Sequence, residues 1–281
     1  MQPVKIYRSV AAMERLSLFY MDTRTEGPVI LCLHGRWGRA RTWYGFMQHY
    51  GRQYRVIAPD QRGHGLSDKP VSQYTAQEMA EDVVALLQHL KLDSVMLVGH
   101  SMGARVAGHV AALYPRCVRA LALLDKSADG PAPNPLSLDQ IDPVDPLTRD
   151  WPLPFVSLAE AEEFLDKTMD SPWSRQYFRN SLTETVGGYR MMFSPQAMAA
   201  NIAYEEGWFH RLADIRCPVM LVRAKGAEAV PDEDWQRMQA LLPNCLAFEA
   251  SHPDHNVHLT NPEEFYGFVD AFLRHAGVYQ A

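Results

Sequence analysis

The sequence predicts an α/β protein, in which an eight-stranded, mostly parallel sheet has helices on both faces and carries a helical cap insertion. Two observations predict this fold class. Short apolar runs alternate along the chain with longer segments of helical period, as in repeated strand–helix–strand units. Some of these runs, such as residues 29–33 and 95–98, are apolar at every position. Such runs are typical of central strands that are buried on both sides.

Eight strands are predicted, each from a short run of apolar and β-branched residues. In chain order they are Lys5–Val10, Arg15–Met21, Val29–His34, Arg55–Pro59, Ser94–Gly99, Val118–Asp125, Pro218–Arg223 and Cys245–Ala250. Helical spacing between and after the strands predicts helices at residues 75–91, 103–114, 232–242 and 262–275. The last helix has a capping residue, Asn261, and a proline at its first position.

The segment from Ser127 to Trp208 breaks this alternation. It contains no clear strand, and seven prolines within residues 131–154 exclude a regular helix there. Helical spacing is found around Leu158–Met169, Trp173–Leu182 and Ala197–Ala203. We therefore predict two parts, which are a core domain of residues 1–126 and 209–281 and a helical cap, or lid, of residues 127–208. The alternative is that the segment links to a second domain.

Composition and charge exclude several classes of protein. The chain has 281 residues, of which 47% are hydrophobic and 21% charged, as in ordinary folded proteins. Its net charge of −6, without runs of Lys or Arg, offers no surface for nucleic acid or for an anionic membrane. No apolar stretch approaches the roughly 18 residues of a membrane span, and the N-terminus does not resemble a signal peptide. We expect a cytoplasmic protein with reduced cysteines and no nucleic-acid or membrane partner; the oligomeric state is left open.

The strongest functional motif is the G-x-S-x-G sequence GHSMG at residues 99–103, between the fifth strand and the following helix. A serine on such a tight turn needs flanking positions almost free of side chain, and glycines meet that need. The helix N-terminus beside the serine favours developing negative charge. Ser101 is therefore the predicted nucleophile, and the backbone N–H of Met102 is a predicted oxyanion donor.

A second glycine-rich turn, HGRWG at residues 34–38, follows the third predicted strand. Such a turn can present a backbone N–H to the same oxyanion, and Arg36 is the predicted second donor. The alternative is an ordinary strand-to-loop turn that uses its two glycines.

These motifs, together with the loop DQRGHGLS at residues 60–67, resemble the α/β-hydrolase superfamily over essentially the whole chain. Residues 254–265 (DHNVHLTNPEEF) resemble the family's G-H-x-x-x-x-E-x-P-E-x-F stretch, in which the histidine is the general base. The resemblance implies the α/β-hydrolase fold with a serine nucleophile and assigns the base to His255. Asp254 departs from the pattern, because the family usually has glycine there.

The acid of the triad has two candidates. Members of the family most often carry it after the seventh strand, where this chain lacks the usual G-x-x-D and offers Glu228. Other members carry it at the end of the sixth strand, where this chain has Asp125. We favour Asp125, since in the family's sheet the sixth strand lies between the fifth and the seventh. The alternative role of Asp125 is to cap the turn that follows it.

No metal and no cofactor are expected. Three evenly spaced histidines, His252, His255 and His258, prompt the idea of a metal site, but they form no HExxH motif and no Cys or acidic residue completes the set. We expect His258 to be a structural partner and the two motif histidines, His34 and His100, to bond the backbone.

The assembled residues predict a serine hydrolase for a small-molecule substrate. Ser101 attacks a carbonyl, His255 takes its proton, Asp125 orients the imidazole, and water then cleaves the acyl-enzyme. The serine argues against the haloalkane dehalogenases and epoxide hydrolases of the family, which use an aspartate there. The expected substrate is a small ester, lactone, amide or β-diketone-like compound. The alternatives are a non-catalytic ligand-binding protein on the same fold, and perhydrolase or lyase chemistry at the same residues.

Two sets of side chains are candidates for substrate contacts. Guanidinium groups near the site suggest a substrate that carries a carboxylate; they belong to Arg36, Arg39, Arg175, Arg179 and Arg190. The alternative is that these arginines are solvated surface residues. Apolar side chains of the cap are candidates for the pocket wall; they are Trp151, Phe155, Trp173, Tyr177, Phe178, Tyr189, Trp208 and residues 191–193. Each of these apolar residues could equally pack in a core.

Overall fold

Eight strands form one central sheet in the computed structural model of the protein, which describes residues 2–278. A separate hairpin contributes two more, the seventh and eighth in chain order. The ten strands are β1 (Tyr7–Ala12), β2 (Ser17–Asp22), β3 (Val29–Leu33), β4 (Arg55–Pro59), β5 (Val95–His100), β6 (Val118–Leu124), β7 (Leu182–Thr185), β8 (Gly188–Met191), β9 (Val219–Arg223) and β10 (Cys245–Glu249).

The order across the central sheet is β1-β2-β4-β3-β5-β6-β9-β10. Strand β2 is antiparallel to both β1 and β4, and the other neighbouring pairs are parallel. The predicted eight-stranded, mostly parallel sheet is therefore confirmed, with strand ends shifted by at most two residues.

Ten α-helices accompany these strands in the described part of the chain. They are α1 (Tyr44–Tyr50), α2 (Ala76–His89), α3 (Met102–Leu113), α4 (Leu158–Thr168), α5 (Pro172–Arg179), α6 (Pro195–Ala203), α7 (Phe209–Leu212), α8 (Asp232–Leu241), α9 (Val257–Thr260) and α10 (Pro262–His275). The four predicted core helices correspond to α2, α3, α8 and α10. Helices α1, α7 and α9 were not predicted, and two of these have only four residues, too few to show a helical period.

The central sheet separates two apolar layers, because successive side chains of a strand point to opposite faces. Leu31 and Leu33 of β3 pack into the layer that holds α2 and α3. Their neighbour Cys32 packs on the other face, with Trp43 and with Phe265 of α10. All these side chains are buried. The central strands are thus held on both sides, so that their carboxyl ends form a rigid edge for the loops described below.

The segment of residues 127–208 contains α4, α5 and α6 together with the β7–β8 hairpin. The expectation that it holds no strand was wrong. The hairpin turns at two glycines, of which Gly188 has φ 116°, and a β-carbon there would lie 2.2 Å from the Phe155 carbonyl oxygen. The helix predicted at Trp173–Leu182 ends at Arg179, because Leu182 begins β7. The division of the chain into core and cap stays a prediction.

No helix within residues 2–278 combines the length and the apolar character needed to cross a bilayer. All four cysteines are free, with Cys32 buried and the other three half-buried. The cytoplasmic location stays a prediction.

Candidate active site

Ser101 lies on the turn between β5 and α3 with φ 53° and ψ −118°, a conformation that is costly for a residue with a side chain. Two close backbone approaches enforce it. A β-carbon at Gly99 would lie 2.2 Å from the Gly103 carbonyl oxygen, and one at Gly103 would lie 2.4 Å from the Leu33 carbonyl oxygen. The Ser101 N–H donates to the Leu124 carbonyl oxygen at 2.9 Å. The glycines of the motif are therefore required by space, and they leave Ser101 half-buried at the sheet edge.

His255 and Asp125 form a hydrogen-bonded pair beside this turn. His255 Nδ1 lies 2.7 Å from Asp125 Oδ2, and the Asp125 side chain is 2% exposed whereas that of His255 is 44% exposed. The second carboxylate oxygen, Oδ1, accepts the Ala224 N–H at 2.7 Å. Since an ionised carboxylate only accepts hydrogen bonds, the proton of the neutral imidazole is on Nδ1, and Nε2 is the nitrogen that can take a proton.

Glu228, the other candidate acid, lies in the loop after β9 with an exposed side chain. The structure brings Asp125, and not Glu228, to His255. Asp125 directly follows β6, and its N–H donates to the Val222 carbonyl oxygen of β9 at 2.7 Å. The position of β6 between β5 and β9 therefore puts this carboxylate within reach of the loop after β10.

Ser101 and His255 line one cavity of about 140 Å³. The rest of its lining combines small, polar and aromatic residues: Gly35, Arg36, Trp37, His100, Ser174, Tyr177, Phe178 and Asn256. Tyr177 and Phe178 were among the aromatic candidates, whereas Trp37, Ser174 and Asn256 were missed. The signal for Trp37 was present, because it lies inside the HGRWG turn. Other candidates pack elsewhere; Trp208, for example, lies against Gly108 of α3.

The two predicted oxyanion donors flank Ser101. A β-carbon at Gly35 would lie 3.1 Å from Ser101 Cβ, so the turn that carries Arg36 rests directly on the serine. That turn is closed by the Gly38 N–H, which donates to the Gly35 carbonyl oxygen at 3.2 Å. Met102 is the first residue of α3, where backbone N–H groups have no acceptor within the helix. Both elements therefore adjoin Ser101, and the role of the two N–H groups as oxyanion donors stays a prediction.

The histidines of the two motifs hold backbone in place. His34 Nε2 accepts the Gln61 N–H at 2.9 Å, and its Nδ1 donates to the Gly35 carbonyl oxygen at 2.8 Å. His100 Nε2 donates to the carbonyl oxygen of His255 at 2.8 Å, which fixes the loop that carries the imidazole. Burial lowers the pKa of His34 to about 4 and the pKa of His100 well below its ordinary value. Both rings are therefore neutral near pH 7.

Asp254 stabilises the loop that carries His255. Its Oδ1 accepts the backbone N–H of Asn256 at 2.7 Å and the side-chain amide of Asn256 at 2.9 Å. This is an Asx turn, a local bond that a glycine could not form. The departure from the family's pattern thus adds hydrogen bonds to the loop and leaves His255 in contact with Asp125.

The three evenly spaced histidines make three different contacts. His252 packs against Trp173 with ring centroids 4.5 Å apart, His255 bonds Asp125, and the buried His258 stacks on Trp43. Burial lowers the pKa of His258 to about 3. No group of three or more His, Cys, Asp or Glu residues in the described part of the chain is arranged to hold a metal ion.

Of the five candidate arginines, Arg36 lines the cavity, and its side chain is paired with Glu205 at 2.6 Å. Arg175 and Arg179 pair with acidic residues of α4 at 3.2 Å and 2.6 Å. Arg39 lies 3.8 Å from the Asp60 carboxylate, and Arg190 is exposed. Of these five arginines, Arg36 is therefore the candidate for a contact to a substrate.

Comparisons with known proteins agree with this fold. A family model described as alpha/beta hydrolase fold matches residues 28–262. The 2-(acetamidomethylene)succinate hydrolase of Mesorhizobium japonicum is 27% identical over 254 residues, which cover 88% of this chain and 89% of that protein. The (E)-2-((N-methylformamido)methylene)succinate hydrolase of Acinetobacter baylyi is 24% identical over 257 residues, covering 88% and 91%. A crystal structure of E-2-(acetamidomethylene)succinate hydrolase superimposes with a TM-score of 0.81 at 25% identity, covering 96% of this chain and all of that one (100%).

Proposed function

The chain belongs to the alpha/beta hydrolase family, and from that premise we propose that it is a serine hydrolase with Ser101 as nucleophile, His255 as general base and Asp125 as the acid of the triad. One observation carries the proposal. The buried Asp125 carboxylate is 2.7 Å from His255 Nδ1, in a cavity wall that His255 shares with a serine held at positive φ. A paired imidazole beside a half-buried, strained serine in one cavity is the arrangement that acyl transfer requires.

The reaction follows from these positions. Ser101 Oγ attacks the substrate carbonyl while His255 Nε2 takes its proton, and Asp125 stabilises the imidazolium that forms. The backbone N–H groups of Arg36 and Met102 hold the oxyanion, at roughly 3–4 kcal/mol per donor. His255 then gives its proton to the leaving group. Water attacks the acyl-enzyme with His255 as the base, and the acid product leaves Ser101 free.

We propose an amide or ester that carries a carboxylate as the substrate, with lactones and β-diketone-like compounds as the other members of the class. The two relatives above are named as hydrolases of succinates that bear an amide group. The cavity of about 140 Å³ favours a small molecule, since sites for drug-sized ligands are about 300–1,000 Å³. Arg36, a cationic residue of its lining, favours a negatively charged one.

The triad is tested by labelling with a fluorophosphonate probe, with the modified peptide located by mass spectrometry. We expect rapid modification of Ser101 in the wild type and none in Ser101→Ala. Asp125→Asn should slow labelling by about 10³–10⁴-fold, because the imidazole loses its correct tautomer. Glu228→Gln, the matched control at the exposed acid, should label at the wild-type rate. Slow labelling in Glu228→Gln alone would move the acid to the β9 loop, and an unreactive wild type would favour a ligand-binding protein.

The substrate class is tested with matched pairs of compounds. Each pair consists of a small N-acyl amide or ester with a free carboxylate and the same compound with that carboxylate methylated. We expect a higher kcat/KM for the charged member of each pair. Equal values for the two members would remove the carboxylate from the proposal and leave the hydrolase in place.

A further inference from the structure

Glu205 faces one cation from each of the three central strand ends. Glu205 lies just after α6, in the segment that leads back to the core. Arg36 follows β3, Arg105 is on α3 directly after β5, and Lys126 follows Asp125 at the end of β6. These three strands are neighbours in the sheet, in the order β3-β5-β6. They also carry the predicted oxyanion turn, the serine and the triad acid.

Two of the three cations bond Glu205 directly, one on each carboxylate oxygen. Arg36 Nη2 lies 2.6 Å from Oε2, and Lys126 Nζ bonds Oε1. The Arg36 side chain is fixed a second time, because its Nε donates to Asn201 Oδ1 at 3.0 Å. The Arg36, Lys126 and Glu205 side chains are 18%, 22% and 16% exposed. The ion pairs are therefore largely shielded from water, where their strength and geometry count more than on an open surface.

Arg105 makes the carboxylate indispensable to the charge balance. It is 1% exposed, and within residues 2–278 none of its three guanidinium nitrogens has a hydrogen-bond partner. Its charge is attracted by Glu205 and Glu206 and repelled by Arg36. A buried cation without an opposite charge is strongly unfavourable, so Glu205 compensates Arg105 as well as its two direct partners.

The carboxylate is ionised throughout the neutral range. Burial acts to raise the pKa of Glu205, but attraction to Lys126, Arg105 and Arg36 outweighs burial and lowers that pKa to about 2. The group is thus a permanent negative charge among three cations.

We propose that Glu205 is a positioning residue for the hydrolytic reaction, which holds the oxyanion turn through Arg36 and the triad acid through Lys126. The inference rests on the function proposed above. The direction of the Arg36 backbone N–H depends on the conformation of its turn. Glu205 and Asn201 bond the Arg36 side chain and so hold that turn in place. Asp125 has φ 47°, a conformation that needs support from its neighbours, and Lys126 is the next residue. One carboxylate therefore links the turn after β3 with the residue that follows Asp125 at the end of β6, and these two strands lie on either side of β5, which leads to Ser101.

The substitution Glu205→Gln tests this role, because it keeps the shape of the side chain and removes its charge. We expect kcat to fall about 10- to 100-fold, since a misplacement of the order of 1 Å costs about 10²-fold. KM should change by less than kcat does, because Glu205 is outside the cavity lining and Arg36 keeps its second side-chain bond, to Asn201. The matched control is Glu233→Gln, the same change at an exposed carboxylate of α8, which should keep kcat within about twofold.

A transition-state analogue separates positioning from a general loss of structure. A trifluoromethyl ketone adds to Ser101 and forms a tetrahedral oxyanion, so its Ki reports on the oxyanion turn and the triad. In Glu205→Gln the Ki should rise by the same factor as kcat/KM falls, whereas the Kd of the non-covalent acid product should be unchanged. A merely structural defect would lower the fraction of active enzyme and leave the Ki of the active part as in the wild type.

The outcomes are distinguishable. Wild-type kcat and Ki in Glu205→Gln, or a change in KM alone, would overturn the inference. If Glu205→Gln does not fold, Glu205→Asp serves instead: it keeps the charge but is one methylene too short to reach both cations, and the same loss of kcat and rise in Ki are expected. Failure of the proposed function would appear separately, as full turnover in Ser101→Ala.

Discussion

Gly103 and Gly267 are both glycines inside helices, yet a side chain would meet opposite surroundings at the two positions. A β-carbon at Gly103 of α3 would lie 2.4 Å from the Leu33 carbonyl oxygen and 2.7 Å from that of His34. Both atoms belong to the backbone of β3 and its turn, which cannot move without displacing the turn that carries Arg36. At Gly267 of α10 nothing lies within 4 Å of the added carbon.

Alanine substitutions should therefore act in opposite directions. We expect Gly103→Ala to lower the free energy of unfolding by roughly 1–3 kcal/mol through overpacking, and to slow fluorophosphonate labelling of Ser101. Gly267→Ala should raise the free energy of unfolding by up to about 1 kcal/mol, because alanine loses less backbone entropy in a helix. Urea unfolding measures both. A Gly103→Ala protein as stable and reactive as the wild type would show that the turn between β5 and α3 tolerates a side chain at this position.

The sequence predicted individual site residues unequally well. Ser101 and His255 were assigned from local motifs, because a tight turn and the segment around a catalytic histidine constrain consecutive residues. The choice between Asp125 and Glu228 stayed open, since the partner of the acid is 130 residues away and the order of the strands decides which carboxylate reaches it. No local motif in the sequence pointed to Glu205, because its three cationic neighbours come from three separate strands or the helix that follows one of them.

Among the elements, helix α2 has a clear local start signal at its N-terminus. The Thr75 hydroxyl accepts the Glu78 N–H at 3.1 Å, and the Glu78 carboxylate accepts the Thr75 N–H at 3.0 Å. This reciprocal capping box satisfies two backbone donors that would otherwise lack partners. The helix packs its apolar face onto α3, so its N-terminal turn contributes to the same layer of the core.

Removal of the cap should cost stability and spare activity. We expect Thr75→Ala to lower the free energy of unfolding by about 1 kcal/mol, because the hydroxyl half of the box is lost. Thr75→Ser keeps the hydroxyl and should stay close to the wild type, and kcat should be unchanged in both variants. Chemical denaturation and ester turnover test this pair. Equal losses in the alanine and serine variants would mean that the methyl group, and not the hydroxyl, stabilises the helix.

Elements outside the strand–helix alternation were predicted less well, for physical reasons. The β7–β8 hairpin has strands of four residues that are largely half-buried or exposed, so they lack the apolar run that marks a buried strand. Its double glycine, Gly187-Gly188, was a usable turn signal. Helix α1 follows a 3-10 helix at Ala40–Trp43, and together they are too short and irregular to show one helical period. The buried strands of the central sheet, by contrast, are recognisable in the sequence because their apolar residues are consecutive.

On the scale of the whole molecule, both layers of the core contain buried histidines that stay neutral. Burial lowers the pKa of His34 and of His109 to about 4 and that of His258 to about 3, and it lowers those of His64 and His100 well below the ordinary value. In the unfolded chain the same imidazoles would titrate near their ordinary pKa of about 6.5. Between these values the unfolded state binds more protons than the folded state. These histidines therefore lower the free energy of unfolding as the pH falls from about 6.5 towards 4.

His109 offers a test of this acid sensitivity away from the site. It is 3% exposed, and its Nδ1 donates to the Arg105 carbonyl oxygen at 2.8 Å, a bond that a glutamine amide can replace. His109→Gln removes one of the extra protons of the unfolded state. Between pH 6 and pH 5 we therefore expect the free energy of unfolding to fall less steeply than in the wild type, by up to about 1.4 kcal/mol per pH unit. Urea unfolding at a series of pH values measures the slope.

His89→Gln, the same substitution at an exposed position, should keep the wild-type slope, because its side chain is in water in both states. An unchanged slope in His109→Gln would mean that the acid sensitivity of the fold comes from groups other than its buried histidines.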